Sequence, residues 1–137
     1  MSPKTELLRH VPLFAACGGK QLEQIGQLAD EIDVPAGTTL MKEGERAGEF
    51  FVIVDGTVRV EQGGRILRTL RAGDFLGEIA LVDGGPRTAT AITESPSRLL
   101  VVAHREFHTL MQDHPAISMA ILEALARRVR NLDTPHY

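Results

Sequence analysis

One cysteine, no tryptophan and few aromatic residues of any kind set the first limits on this chain. Cys17 stands alone, so no disulfide can form within the chain and no thiolate metal set can assemble, which fits a reducing compartment. Lys and Arg (15) fall short of Asp and Glu (18), and the formal net charge of -3 gives no overall pull toward nucleic acid or an anionic membrane. No apolar run approaches the roughly 18 residues that crossing a bilayer requires. Residues Met1 to His10 are polar and of mixed charge, without the apolar stretch of a secretory leader. No membrane insertion is expected, and the expected location is cytoplasmic. Nucleophile–base sets and clustered His and Asp ligands are missing too, which argues against an enzyme.

What is present is an ordinary globular composition, 43% hydrophobic and 24% charged, in 137 residues, enough for one domain but not comfortably for two cores. The 13 glycines are spread along the chain and imply many tight turns. Three regions follow. Over 1–31, Leu7, Leu8, Val11, Leu13 and Phe14 precede a Cys17-Gly18-Gly19 break, after which Leu22, Ile25, Leu28 and Ala29 recur at helical spacing. Over 32–103 the pattern is strand and turn. Phe50 to Val54 is a nearly continuous apolar run ended by Asp55-Gly56, Val58 and Val60 alternate with Arg59 and Glu61, and Gln62-Gly63-Gly64-Arg65 forms the next turn. Ile66, Leu67 and Leu70 continue the sheet, and Leu99 to Val102 is a last apolar strand. This regular spacing predicts a closed antiparallel roll or barrel. Over 104–134 the chain reads as helical, broken and restarted at Pro115, with Ile117, Ile121, Leu125, Arg128 and Leu132 on one face.

The chemistry is concentrated in Phe75 to Ala91, FLGEIALVDGGPRTATA. Gly77 lets backbone approach a ligand closely, and the N–H groups of a short helical turn over Glu78-Ile79-Ala80-Leu81 would point at a negative charge. Arg87 offers a planar donor fork for a phosphate oxygen, and the Thr88 hydroxyl lies beside it. Glu78 would repel a phosphate, so it is expected to face a hydroxyl such as a ribose 2′-OH. A phosphodiester beside a free 2′-OH describes a 3′,5′-cyclic nucleotide.

These residues resemble the phosphate-binding cassette of the cyclic nucleotide-binding domain family, seen in catabolite activator proteins and in the regulatory subunits of cAMP-dependent kinases. The likeness extends to Val11-Pro12-Leu13-Phe14, Val34-Pro35-Ala36-Gly37, Gly44-Glu45, Phe51-Val52-Ile53 with Gly56, and Ala72-Gly73-Asp74-Phe75. It implies a mainly β fold with flanking α-helices. That fold is a double-stranded β-helix, a jelly-roll-like β-roll, with N-terminal helices and a C-terminal lid helix. It also implies a ligand set. The backbone around Leu76, Gly77, Glu78, Ile79, Ala80 and Ala89 would line the phosphate. Glu78 would take the 2′-OH and Arg87 a phosphate oxygen, with Thr88 beside the phosphate. Val60 and Leu67 would line the base pocket, with Arg128 and Leu132 facing it from the lid.

With no tryptophan available, base recognition is expected to be mostly aliphatic, with cAMP favoured and cGMP the alternative. No cofactor is expected. His104 and His108 have metal-ligand spacing but no third partner, and metal binding is not expected. The Arg127, Arg128 and Arg130 cluster reads as a solvated helix end, and Cys17 as a small apolar filler. The face of Ile117, Ile121 and Leu125 fits either packing of lid on roll or a homodimer through the C-terminal helix. A helix-turn-helix after the lid would make a DNA-binding activator. The chain stops at Tyr137, a few residues past that helix, so DNA binding by this chain is not expected. The downstream effector protein is unknown, as is whether the chain is a whole protein or the sensor part of a larger one. The remaining alternative is an interaction domain that binds no nucleotide.

Overall fold

The fold is described from a computed structural model over residues 3–46, 48–77 and 85–132. Helix α1 (Pro3–Arg9), a 3-10 turn (Pro12–Phe14) and α2 (Gly19–Leu28) open the chain. Eight strands follow: β1 (Ala29–Val34), β2 (Thr39–Met41), β3 (Glu49–Asp55), β4 (Val58–Gln62), β5 (Arg65–Leu70), β6 (Phe75–Leu76), β7 (Thr90–Thr93) and β8 (Ser97–Ala103). Helices α3 (His104–Asp113) and α4 (Pro115–Leu132) end the described chain. The strands form two four-stranded antiparallel sheets, β1-β8-β3-β6 and β2-β7-β4-β5. This is the jelly-roll-like β-roll with flanking helices.

Why two strands are apolar throughout follows from the layers. In the first sheet the middles of β3 and β8 are buried on both faces. Phe50 and Val52 of β3, with Leu100 and Val102 of β8, meet the helices. Their neighbours Phe51, Ile53 and Leu99 turn into the roll, against Val58, Val60 and Leu70 of the second sheet. A strand buried on both sides has no polar face, hence the unbroken runs Phe50–Val54 and Leu99–Val102. The second sheet faces water, and β4 accordingly alternates: Val58 and Val60 point inward, while Arg59 pairs outward with Glu61 at 2.6 Å and Glu94 at 3.6 Å. Phe50 joins the layers, with its ring centroid 5.7 Å from Phe75 and 5.1 Å from Phe107 of α3.

Two features differ from the sequence reading. The roll begins at Ala29, not Ile32, because Ala29 leaves the helical face of Leu22 and Ile25 to pair with Val102 in β1. Among the described residues the roll is also not closed, since β5 pairs only with β4 and β6 only with β3. The β6 ladder is two residue pairs long. At Pro115 the helix breaks and restarts as expected. Ile117 and Ile121 are buried against the body, so of the two roles open to that face the structure has packing. Asp55-Gly56 does turn the chain between β3 and β4. Gly56 has φ +105, and a Cβ there would lie 2.8 Å from Ser97 Cα, so only glycine fits.

Candidate functional site

The site is built where β6 ends. Pairing of Phe51 with Leu76 and of Val52 with Phe75 brings the next residue, Gly77, beside the start of β3. There Gly77 adopts φ +96, and a Cβ would stand 2.8 Å from the Glu49 carbonyl oxygen and 2.9 Å from Arg87 Nη1. Both the conformation and the space therefore demand glycine.

Arg87 closes this corner. Its side chain is 5% exposed, and its guanidinium donates from Nη2 to the Glu49 carbonyl at 2.7 Å and from Nη1 to the Gly77 carbonyl at 3.2 Å. Its backbone is fixed as well. Arg87 N–H donates to the Glu45 carbonyl at 2.8 Å, Gly44 N–H donates to the Arg87 carbonyl at 2.9 Å, and Pro86 bridges to Arg46. A buried guanidinium held at both backbone and side chain is a preorganised cation, which spares a bound anion much of the ordering entropy of a free arginine.

Around it, Leu76 and Ala89 are buried in the roll interior, and Val60, opposite Ala91 on β7, lies on the same inner side. The small side chains of Ala89 and Ala91 keep that side shallow. Thr88 is exposed, and its carbonyl accepts from Gln62 Nε2 at 2.9 Å. Glu43 takes the Gly63 N–H at 3.0 Å and gives its own N–H to Thr90 Oγ1 at 3.0 Å. The β4–β5 turn is thereby tied to the segment that runs from Arg87 into β7.

The expected site residues thus divide into groups. Gly77 and Arg87 touch directly, with Leu76, Ala89 and Val60 on the inner side next to them. Leu67 stands 47% exposed at a bulge in the β4–β5 register between Val60 and Glu61, toward solvent rather than in the packed interior. Glu78, Ile79 and Ala80 lie outside the described residues. So do the side chains of Arg128 and Leu132, whose backbone belongs to α4. Two contributors had no side-chain signal: the Glu49 carbonyl that receives Arg87, and the Gly44–Glu45 backbone that pairs with it. Their trace in the sequence was the glycine of Gly44-Glu45.

The model of the cyclic nucleotide-binding domain matches residues 31–114. The chain belongs to the cyclic nucleotide-binding domain family. Relatives of this domain include a cyclic nucleotide-gated potassium channel from Rhizobium etli, 36% identical over 124 residues, covering 90% of this chain and 35% of the channel. A CRP-like cAMP-activated global transcriptional regulator from Mycobacterium tuberculosis is 28% identical over 130 residues, covering 91% of this chain and 58% of the regulator. The catabolite activator protein of Thermus thermophilus superposes with a TM-score of 0.79 at 26% identity, over 89% of this chain and 60% of its own. The domain spans little more than half of the regulator and about a third of the channel. Members such as these regulators use it as a ligand-responsive regulatory unit.

Among the described residues no helix is long and apolar enough to cross a membrane. His104 and His108 stand with Nε2 atoms 3.0 Å apart, and no group of three metal-ligating side chains occurs among the described residues.

Proposed function

We propose that this domain senses a 3′,5′-cyclic nucleotide as a regulatory module and is not itself an enzyme. The observation that carries the reading is the buried Arg87 locked against Gly77 and the start of β3. One guanidinium, fixed beside a glycine that lets backbone come close, suits a single phosphodiester. In this reading Arg87 takes a phosphate oxygen, with the backbone of Leu76, Gly77, Glu78, Ile79, Ala80 and Ala89 around the phosphate and Thr88 at its edge. Glu78 accepts from the ribose 2′-OH. Val60 and Leu67 border the base, the exposed Leu67 gaining cover once the base arrives, and Arg128 and Leu132 close over it from α4. The ligand moves α4 only by as much as it prefers the closed arrangement.

We favour cAMP over cGMP, the messenger named for the mycobacterial regulator, and a cytoplasmic setting. No cofactor, DNA contact or membrane insertion enters the proposal; the effector is a partner protein or a further domain. Titrating nucleotide-free protein with cAMP and with cGMP by calorimetry tests the preference. Tighter cAMP binding supports it, tighter cGMP binding reverses it, and no heat from either leaves an interaction domain as the reading.

A specific observation also favours a homodimer through α4. Met119, Leu122 and Val129 are 55%, 58% and 63% exposed, and with the exposed Ala126 they follow 3- and 4-residue steps along the outward face. That is the spacing of a two-helix seam, and a second copy of the same helix has the matching period. The seam residues are these, not the Ile117, Ile121 and Leu125 face.

A further inference from the structure

A second cleft lies on the other side of the first sheet from the Gly77–Arg87 corner. Phe75 and Leu76 alternate across that sheet: Leu76 belongs to the roll interior, Phe75 to the layer beneath the helices. Over Phe75 the turn between β5 and β6, the 3-10 turn and α4 enclose about 440 Å³, within the size range of small-molecule sites. Its apolar part comes from Pro12, Leu13, Phe75, Ala120 and Ala124, beside polar backbone and the Asp74 carboxylate. Arg68 and Arg127 line the same cleft.

Among the described residues neither guanidinium has an ion-pair or hydrogen-bond partner. The one carboxylate lining the cleft, Asp74, already accepts the Arg71 N–H at 2.9 Å. Two unpartnered guanidinium groups and one engaged carboxylate beside a partly apolar lining give the cleft a net positive edge.

We infer that this cleft binds an organic monoanion, a carboxylate carried on a flat or short apolar body. The body lies on Phe75, Ala120 and Ala124, and the carboxylate meets Arg68 and Arg127. A planar fork matches a carboxylate in two parallel hydrogen bonds, and the apolar body supplies the contact area that a free inorganic anion lacks. The ligand would rest between α4 and the strand leading to Gly77, yet use none of the residues assigned to the nucleotide.

The probes are 2-naphthoate and its neutral isostere 2-naphthamide, titrated into the nucleotide-free 137-residue chain and followed by backbone amide shifts. Naphthoate is expected to shift Ala72 to Phe75, Ala120 and Ala124 in a saturable way and to bind about tenfold more tightly than the amide. The pair Arg68→Gln and Arg127→Gln removes charges that have no partner in the fold, and is expected to erase that difference. Ala124→Trp fills the cleft and is expected to abolish the shifts, while Arg87→Ala leaves them unchanged. This last arm separates the two sites, so the cleft stands or falls whether or not a nucleotide binds.

Equal binding of acid and amide would overturn the assignment. So would shifts confined to Gly77 and Arg87 or to Met119, Leu122 and Val129, or no saturation up to about 5 mM.

Discussion

Replacing Gly77 by alanine tests the architecture of the corner directly. The new methyl carbon would begin 2.8 Å from the Glu49 oxygen and 2.9 Å from Arg87 Nη1, on a backbone at φ +96. Holding a residue with a side chain in that conformation costs about 1–3 kcal/mol. Relieving the contact moves Arg87, and its bonds to the Glu49 and Gly77 carbonyls at 2.7 and 3.2 Å are hydrogen bonds from a charged donor, worth about 1.5–3 kcal/mol each at full strength. A partial loss added to the strain gives about 3 kcal/mol, or a fall of about 10 °C in Tm for a domain of this size. Urea unfolding followed by circular dichroism measures it, with an unchanged m-value as the condition for comparison. Because the clash is with Arg87 itself, Gly77→Ala in an Arg87→Ala background should cost about 1 kcal/mol less than in the parent. A loss below about 0.5 kcal/mol, or strict additivity with Arg87→Ala, would refute the contact as described.

Other consequences can be read from separate parts of the molecule. Phe107 of α3 is fully buried against Phe50, and Phe107→Ala should destabilise by about 3–5 kcal/mol in the same unfolding assay. Leu122→Arg, at an outward and exposed position on α4, should leave Tm nearly unchanged and shift sedimentation from dimer to monomer; an unchanged sedimentation coefficient would dismiss the seam. Burial pushes the Cys17 thiol up, so the folded state prefers the neutral form. Its contribution to stability is present below the unfolded thiol's pKa and is lost as pH rises through the folded value. Iodoacetamide should label native Cys17 with a midpoint at higher pH than the urea-unfolded chain, and coincident midpoints would contradict the burial.

Much of the roll was legible in the sequence because its signals are local. The runs Phe50–Val54 and Leu99–Val102, the Asp55-Gly56 turn and the Pro115 break each state their structure within a few residues. What was misread depends on partners distant in sequence. Ala29 continues the helical period of Leu22 and Ile25 well enough to pass for a helix residue, and only Val102 across the sheet makes it a strand. The open edges at β5 and β6 depend on which strands pair across the two sheets, which no spacing rule encodes. At the site, Gly77 and Arg87 were readable from their types and spacing. The Glu49 carbonyl that fixes Arg87 was not, because a backbone acceptor leaves no mark on the sequence.

The central claim is that Arg87 holds the phosphate of a cyclic nucleotide, and calorimetric titration of cAMP into parent and Arg87→Ala proteins, both nucleotide-free and shown to be folded, tests it most directly. The account predicts saturable binding by the parent and a loss on the order of a hundredfold in the variant. Equal affinity in the two proteins would contradict it.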